Sequence, residues 1–126
     1  MTENKDSYLT DNWLMKTFED FFDPCPYNDN PTVDGLTMDW YDKTFVNPPY
    51  SNPLPWVLKA IEESKKGKTI VMLLKMDSST RWFAKLKEAK AHFLWINGRL
   101  KYNKKSYKRF DNTPLPFPSM LVVLSK

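Results

Sequence analysis

The uninterrupted apolar run from Thr69 to Leu74 constrains the fold of this chain most strongly. Its residues are Thr, Ile, Val, Met, Leu and Leu, with no charged side chain among them. A strand with polar residues at alternate positions can leave one face in water, but a run of this kind is typical of a strand covered on both faces. The run therefore predicts a sheet with helices packed against each side.

Helix and strand patterns alternate on either side of this run. The predicted elements are a helix near 11–19, a short strand at Phe21–Phe22, a strand at 44–47, a helix after Asn52, the strand at 69–74, a helix after Ser78 or Ser79, and strands at 91–96 and 119–124. Asn52 and one of the two serines are expected to cap the helices that follow them, because short polar side chains accept hydrogen bonds from the first helical N–H groups. The alternation predicts an α/β fold with a mostly parallel sheet, in a single domain spanning 1–126.

Composition narrows the class of protein. The chain has 126 residues, of which 41% are hydrophobic, and this is enough for one core. The single cysteine, Cys25, excludes an internal disulfide, and with only one histidine, His92, the sequence argues against a zinc site. A polar N-terminal segment and the lack of any apolar run near ~20 residues predict a cytoplasmic protein without a membrane span.

Charge is distributed unevenly along the chain. Residues 1–50 contain ten acidic residues and three lysines, whereas residues 51–126 contain sixteen basic residues and five acidic ones. The most basic segment runs from 99 to 109 and has tyrosines interleaved, a pattern typical of nucleic-acid backbone contacts. A solvated lysine-rich loop would have the same composition. The candidate nucleic-acid-binding residues are Arg99, Lys101, Lys104, Lys105, Lys108 and Arg109.

The sequence Asn47-Pro48-Pro49-Tyr50 ends the predicted strand at 44–47. It would hold an amide oxygen, the Pro48 carbonyl and an aromatic ring in a fixed relation. Two acceptors can bind both N–H groups of a planar, weakly nucleophilic amine, which favours a localised lone pair, while the Tyr50 ring stacks on the substrate. This set is suited to methyl transfer, although a proline-rich turn without chemistry has the same local sequence.

Two acidic residues are candidates for binding a ligand near this loop. In α/β sheets, ligands bind beyond the carboxyl ends of the strands. Asp23 follows the strand at Phe21–Phe22, so Asp23 and Asn47 would open on one edge of the sheet if their strands are neighbours. An acidic edge would suit a ligand with a positive charge. Asp34 is the second candidate, although the pair Asp34-Gly35 is also common in turns.

Several short motifs occur in order between about Tyr8 and Leu124. They are Asp23-Pro24-Cys25, Asp34-Gly35-Leu36, Trp40, Asn47-Pro48-Pro49-Tyr50-Ser51, Trp56, Val71-Met72-Leu73-Leu74, Thr80-Arg81-Trp82-Phe83, Gly98-Arg99-Leu100 and Pro116-Phe117-Pro118-Ser119. Together they resemble the small phage-type DNA adenine methyltransferases. The resemblance implies a compact Rossmann-like methyltransferase fold that uses S-adenosylmethionine to methylate the exocyclic amino group of an adenine flipped out of DNA. It also implies a phage, viral or mobile-element origin.

Carried over by position, the resemblance implies roles for individual residues. Asn47 and the Pro48 carbonyl bind the amino group, Pro49 belongs to the same catalytic loop, and Tyr50 stacks on the base. Direct transfer of the methyl group requires no metal. The residues implied to lie at the cofactor are Tyr8, Thr10, Asp23, Cys25, Asp34 and Asn47, with packing as the expected contribution of Cys25.

The sequence departs from the wider methyltransferase class near the cofactor site. No glycine-rich loop follows the first strand, where Asp23-Pro24-Cys25-Pro26 stands instead. The segment 27–43 is too short for two strand–helix units, so the second and third strands of the sheet are expected to be reduced. Within the family pattern, Lys75 stands where a proline is expected.

Other functions fit the same motifs. The amino group of cytosine has nearly the geometry of that of adenine, and glutamine amides of proteins are methylated by the same kind of loop. The basic segment 99–109 favours DNA as the partner. A non-catalytic nucleic-acid-binding domain that has lost its cofactor would explain the missing glycine loop. Low sequence specificity and a homo-oligomer are further expectations, because no separate recognition domain is evident.

Overall fold

The computed structural model of the chain describes residues 12–25, 34–98, 101–105, 110–114 and 117–126. The helices are α1 (Asn12–Thr17), α2 (Leu54–Lys65) and α3 (Arg81–Glu88). The strands are β1 (Lys43–Val46), β2 (Thr69–Lys75), β3 (His92–Trp95), β4 (Lys101–Lys105), β5 (Phe110–Pro114) and β6 (Ser119–Leu124). No helix in this part of the chain has the length and apolar character needed to cross a membrane.

Four strands form the central sheet in the order β1-β2-β6-β3. β1 pairs with β2 in parallel, whereas β6 is antiparallel to both β2 and β3. The prediction of a mostly parallel sheet is therefore wrong for the strand pairings. The physical reason is the connection before β6, which contains the β4–β5 hairpin and no described helix, so that β6 starts at the edge where β3 ends. β1, β2 and β3 themselves all run in one direction, because β2 and β3 both oppose β6.

The strand predicted at Phe21–Phe22 is reduced to a single bridge. Phe22 pairs in parallel with Thr44 beside β1. Its N–H donates to the Lys43 carbonyl at 2.9 Å, and its own carbonyl accepts from the Phe45 N–H at 2.8 Å. Pro24 has no N–H to donate, so the ladder does not continue along the chain. The bridge nevertheless places Asp23 at the edge of the sheet where β1 ends.

Both faces of β2 are buried, as its apolar run predicts. On one face, Met72 and Leu74 belong to a core cluster with residues of α2 and α3. On the other face, Leu73 packs in a second cluster with Leu14 of α1. The sheet is therefore covered by helices on both sides, and this confirms the α/β architecture.

The two predicted helix caps are wrong. The cap position of α2 is Pro53, without a side-chain cap, rather than Asn52. At α3 the cap is Thr80, whose Oγ1 accepts a hydrogen bond from the Phe83 N–H at 3.2 Å. Ser79 instead donates to the carboxylate of Asp77, in a turn that precedes the helix. Several polar residues compete at each helix start, and the backbone geometry of the turn decides which one caps.

The basic segment 99–109 is not a single loop. Residues 101–105 form β4, which pairs antiparallel with β5 as a separate two-stranded sheet. Backbone hydrogen bonds pair these two strands. The lysine-rich sequence of β4 has no alternation of apolar and polar residues, so the sequence pattern did not predict a strand there. Residues 99–100 and 106–109 lie outside the described part of the chain.

Candidate active site

The carboxyl ends of β1, β2 and β3 lie at one edge of the central sheet, which we call the rim. Asn47 follows β1, Met76 follows β2, and the start of β6 lies at the same edge because that strand runs the other way. β1 pairs with β2, and two backbone hydrogen bonds join the ends of β2 and β3 to the start of β6, from Met76 N to the Pro118 carbonyl (2.9 Å) and from Ile96 N to the Ser119 carbonyl (3.4 Å). The rim is therefore a continuous surface built from separate parts of the chain.

The Asn-Pro-Pro-Tyr loop leaves β1 at the rim as a tight turn. Pro48 is buried, whereas Asn47, Pro49 and Tyr50 are each partly exposed. The Pro49 carbonyl accepts from the N–H of Asn52 at 3.3 Å, so this turn bond does not use the Pro48 carbonyl. Asn47 thus stands directly at the end of a buried strand, and its side chain is partly exposed.

The ring of Tyr50 contacts a second aromatic residue, Phe117. Their centroids lie 4.9 Å apart with an interplanar angle of 76°, which is an edge-to-face arrangement. Phe117 lies just before β6 and is far from Tyr50 in sequence. Sequence reasoning did not select Phe117 as a site residue. The only local signal is an aromatic residue between Pro116 and Pro118 at the start of a predicted strand.

Asp23 lies at the rim beside the bridge to β1. Its Oδ1 accepts a hydrogen bond from the Cys25 N–H at 2.9 Å. The side chain keeps part of its surface in water, yet desolvation by the surrounding protein raises the pKa of the carboxyl, and the bond from Cys25 opposes this. An ionised Asp23 would therefore gain from a cationic ligand.

Cys25 is a poor candidate for chemistry. Burial, and then the charge of Asp23, raise the pKa of its thiol to about 11. The thiol is therefore neutral near pH 7, and the side chain packs against the larger core cluster. In the described segments, no group of three or more His, Cys, Asp or Glu side chains could hold a metal ion.

Asp34 is brought near Asp23 by the contact of Gly35 with Pro24. A Cβ on Gly35 would lie 2.0 Å from the Pro24 carbonyl oxygen, so the two loops touch through their backbones. Asp34 itself is exposed, and its Oδ1 accepts from the Leu36 N–H at 2.9 Å. The structure thus brings together the two loops that carry the predicted cofactor acids, and each acid has one oxygen engaged in its own turn.

A buried carboxylate fixes the position of the second of these loops. Glu63 of α2 is fully buried and accepts from the backbone N–H of Trp40 at 2.9 Å. Lys66 lies 2.6 Å and Lys59 3.5 Å from its Oε2, and Lys68 bonds to its Oε1. Burial alone would raise the pKa of Glu63, but the bonds from Lys66, Lys68 and Trp40 hold it down at about 2. The indole N–H of Trp40 in turn donates to the carbonyl of the loop glycine at 2.8 Å.

Several predicted site residues cannot be placed. Tyr8 and Thr10, expected at the cofactor, and Arg99, Lys108 and Arg109, expected at DNA, lie outside the described residues. Three more candidates, Lys101, Lys104 and Lys105, lie along β4. Their roles, like those of the other site residues, remain predictions.

The structure is an α/β protein whose rim carries the amide of Asn47, the aromatic pair of Tyr50 and Phe117, and the carboxyl of Asp23. The sequence profile of the DNA N-6-adenine-methyltransferase (Dam) family matches residues 2–126. The chain therefore belongs to this family, which confirms the resemblance seen in its motifs.

Two curated relatives come from bacteriophages. A DNA N-6-adenine-methyltransferase of Haemophilus phage HP1 is 41% identical over 96 residues, which cover 64% of this chain and 56% of that protein. A DNA N-6-adenine-methyltransferase of Escherichia phage T1 is 41% identical over 64 residues, which cover 48% of this chain and 27% of that protein. The match thus spans about half of one relative and about a quarter of the other. No solved structure matches the chain.

Proposed function

We propose that this protein transfers a methyl group from S-adenosylmethionine to the exocyclic amino group, N6, of adenine in DNA. The observation that carries the proposal is the loop Asn47–Tyr50 on the rim, with Tyr50 held against Phe117. The chain belongs to the DNA N-6-adenine-methyltransferase family, and both phage relatives are named for that activity.

The acids at the rim fit the cofactor. S-Adenosylmethionine carries an ammonium and a sulfonium, and its ribose has two hydroxyl groups that can donate hydrogen bonds. Asp23 is a carboxylate whose raised pKa would fall again beside a cation. Asp34, on the adjoining loop, has one carboxylate oxygen outside its turn bond and suits the ribose hydroxyls. When bound, the cofactor supplies an electrophilic methyl group.

The residues of the loop prepare the amino group as a nucleophile. Asn47 Oδ1 and the Pro48 carbonyl each accept one N–H of the amine, which reduces delocalisation of its lone pair into the adenine ring. Tyr50 stacks on the flipped base, an interaction worth roughly 1–3 kcal/mol. Asn at position 47 accepts this bond without placing a charge in the site. Proton loss follows transfer, because the methylated amine cation is acidic enough to release it to water.

A reduced Rossmann-like methyltransferase sheet is the finer structural proposal. In its support, β1, β2 and β3 run in one direction and are linked through α2 and α3. Residues 34–42 contain turns and no strand, and Phe22 alone extends the described sheet beyond β1. The second and third strands of a full methyltransferase sheet would then be reduced.

The test is a methylation assay with a matched pair of variants. The protein is incubated with S-adenosylmethionine and unmethylated DNA, and the digested nucleosides are identified by mass spectrometry. N6-methyladenine is expected, and Asn47→Ala should reduce turnover by about 10²-fold or more while cofactor binding persists. Asn52→Ala is the control, because its side chain is exposed on the same loop and caps no helix.

Other results would contradict the proposal in different ways. N4-methylcytosine would change the acceptor, and methylated glutamine in added protein would change the substrate class. Binding of DNA without saturable cofactor binding would identify a non-catalytic DNA-binding domain. Full turnover of Asn47→Ala would remove the role of the amide.

Three further proposals accompany this function. Strand β4, which pairs with β5, lies in the most basic segment of the chain, and this supports DNA contacts by Lys101, Lys104 and Lys105. We also propose that the protein acts in the cytoplasm of a phage-infected host cell, as its phage relatives support. A homo-oligomer would extend the DNA footprint of a small domain.

A further inference from the structure

Lys75 brings a positive charge to the rim, at the last position of β2. Its cross-strand partner is Ser119, the first residue of β6. Side chains alternate along a strand, so Lys75 points to the same face of the sheet as Leu73, the face against which Tyr50 and Phe117 pack. The hydroxyl of Ser119 is buried there and has no hydrogen-bond partner within the described residues, which is typical of an atom that a ligand or a water molecule satisfies.

The ammonium of Lys75 lies beside the aromatic pair. Its Nζ is 5.6 Å from the centroid of the Phe117 ring, within the distance of a cation–π contact. The same ring meets Tyr50 at 4.9 Å. The Phe117 ring therefore contacts both the Lys75 ammonium and Tyr50, the residue proposed to stack on the target base.

Asp77 holds the ammonium loosely. Its Oδ2 is 3.8 Å from the Lys75 Nζ, and 47% of the lysine side chain is exposed. The other carboxylate oxygen, Oδ1, accepts from both the N–H and the hydroxyl of Ser79, at 3.0 and 2.6 Å. These bonds, and then the charge of Lys75, lower the pKa of Asp77, so it is an anion at neutral pH. Exposed pairs of this kind contribute only about 0–1 kcal/mol, so the lysine can exchange one anion for another.

We propose that Lys75 binds a backbone phosphate at the target nucleotide, and that Asp77 takes the place of this phosphate when no DNA is bound. The inference rests on the proposed function, because it takes the base on Tyr50 to be part of a nucleic acid. A nucleotide flipped onto Tyr50 carries its flanking phosphates to the mouth of the site, where the half-exposed ammonium lies. A phosphate satisfies a compact lysine charge well, and the exchange leaves Asp77 with its bonds to Ser79.

The two partners should have opposite effects on DNA binding. Lys75→Met keeps the apolar stem beside Phe117 and removes the charge. Asp77→Asn keeps the oxygen that accepts from Ser79 and removes the competing anion. The proposal therefore expects weaker DNA binding from the first variant and tighter binding from the second, in the same assay.

The experiment measures DNA affinity by fluorescence anisotropy over a series of salt concentrations. Each phosphate neutralised contributes about −0.9 to the slope of log K against log salt. Lys75→Met should make the slope less steep by about 0.9 and weaken binding about tenfold at low salt, and Lys75→Arg should restore the slope. Asp77→Asn should tighten binding about threefold. Lys85→Met is the control, because Lys85 is equally exposed and paired with Glu88, but lies on α3 rather than at the end of β2.

The outcomes separate this inference from the proposed function. An unchanged slope in Lys75→Met, or the same change in Lys85→Met, overturns the phosphate contact, and Lys75 then contributes only to local packing. Weaker binding by Asp77→Asn would overturn the exchange of anions. If the wild-type protein forms no N6-methyladenine but Lys75→Met still loses one unit of slope, the proposed function fails and the phosphate contact stands.

Discussion

Gly35 lies against the carbonyl of Pro24, so close that a Cβ on the glycine would stand 2.0 Å from the carbonyl oxygen. Pro24 directly follows Asp23, and Gly35 directly follows Asp34, the two candidate cofactor acids. The contact therefore determines how the loops of Asp23 and Asp34 face each other. In a chain without the usual glycine-rich loop, one glycine at a backbone–backbone contact supports the proposed cofactor site.

Gly35→Ala should damage both stability and cofactor binding. The new methyl group meets backbone rather than a flexible side chain, so the loops must separate, at a cost of roughly 1–3 kcal/mol. We expect a lower melting temperature and at least about tenfold weaker binding of S-adenosylmethionine by calorimetry. Gly67→Ala is the matched control. An alanine at position 67 would be strained by roughly 1–2 kcal/mol, because φ is +97° there. No other group would lie near the new Cβ, so cofactor affinity should not change. Equal losses of affinity in both variants would refute the role of the contact.

Asp23→Asn should weaken cofactor binding without destabilising the free protein. Burial raises the pKa of Asp23, so its ionised form carries a cost in the free protein at neutral pH. A carboxyl with a raised pKa contributes stability below its unfolded pKa, and this contribution is lost as the pH rises through the folded pKa. The asparagine keeps an oxygen for the Cys25 N–H and carries no charge.

The measurements for Asp23→Asn are thermal unfolding and calorimetric titration with cofactor. The melting temperature of the free protein at pH 7 should be equal or higher, whereas cofactor affinity should fall by about tenfold or more. Asp20→Asn, an exposed neighbour, should change neither quantity. Wild-type cofactor affinity in Asp23→Asn would show that this carboxylate does not meet the cofactor.

Glu63→Gln should remove a stabilising ion cluster and its pH dependence. The pKa of Glu63 is about 2 in the folded protein, against 4.5 as its ordinary value. A carboxylate with a lowered pKa contributes stability above its unfolded pKa, and this is lost as the pH falls from near 4.5 towards 2. The contribution is roughly 3 kcal/mol for this fully buried side chain.

Urea unfolding at pH 7 and pH 3 measures this effect. Glu63→Gln should lower the free energy of unfolding by roughly 2–4 kcal/mol at pH 7, and the gap to wild type should narrow at pH 3. Glu88→Gln, whose side chain is exposed and 3.7 Å from Lys85, should change stability by less than about 1 kcal/mol. A gap that stays constant with pH would contradict the assignment to the Glu63 carboxylate.

Local sequence predicted the parts of the fold that local physics controls. The apolar run of β2, the helix spacing of α2 and α3, and the last strand at 119–124 all appear where they were expected. The direction of β6 did not follow from the same patterns. It depends on whether a helix or a hairpin precedes the strand, and the lysine-rich sequence of β4 has no apolar alternation to reveal a hairpin.

The candidate site also has features that the sequence predicts and features that depend on contacts between distant residues. The sequence alone was enough to predict the chemistry proposed for the Asn47–Tyr50 loop and to indicate the family of the chain, because both depend on residue types in a short or ordered series. The contact of Phe117 with Tyr50 and the position of the Lys75 ammonium over the Phe117 ring are visible only in the folded chain. These contacts join residues that are distant in the chain, and they follow from the antiparallel pairing of β6 with β2, which no local pattern encodes.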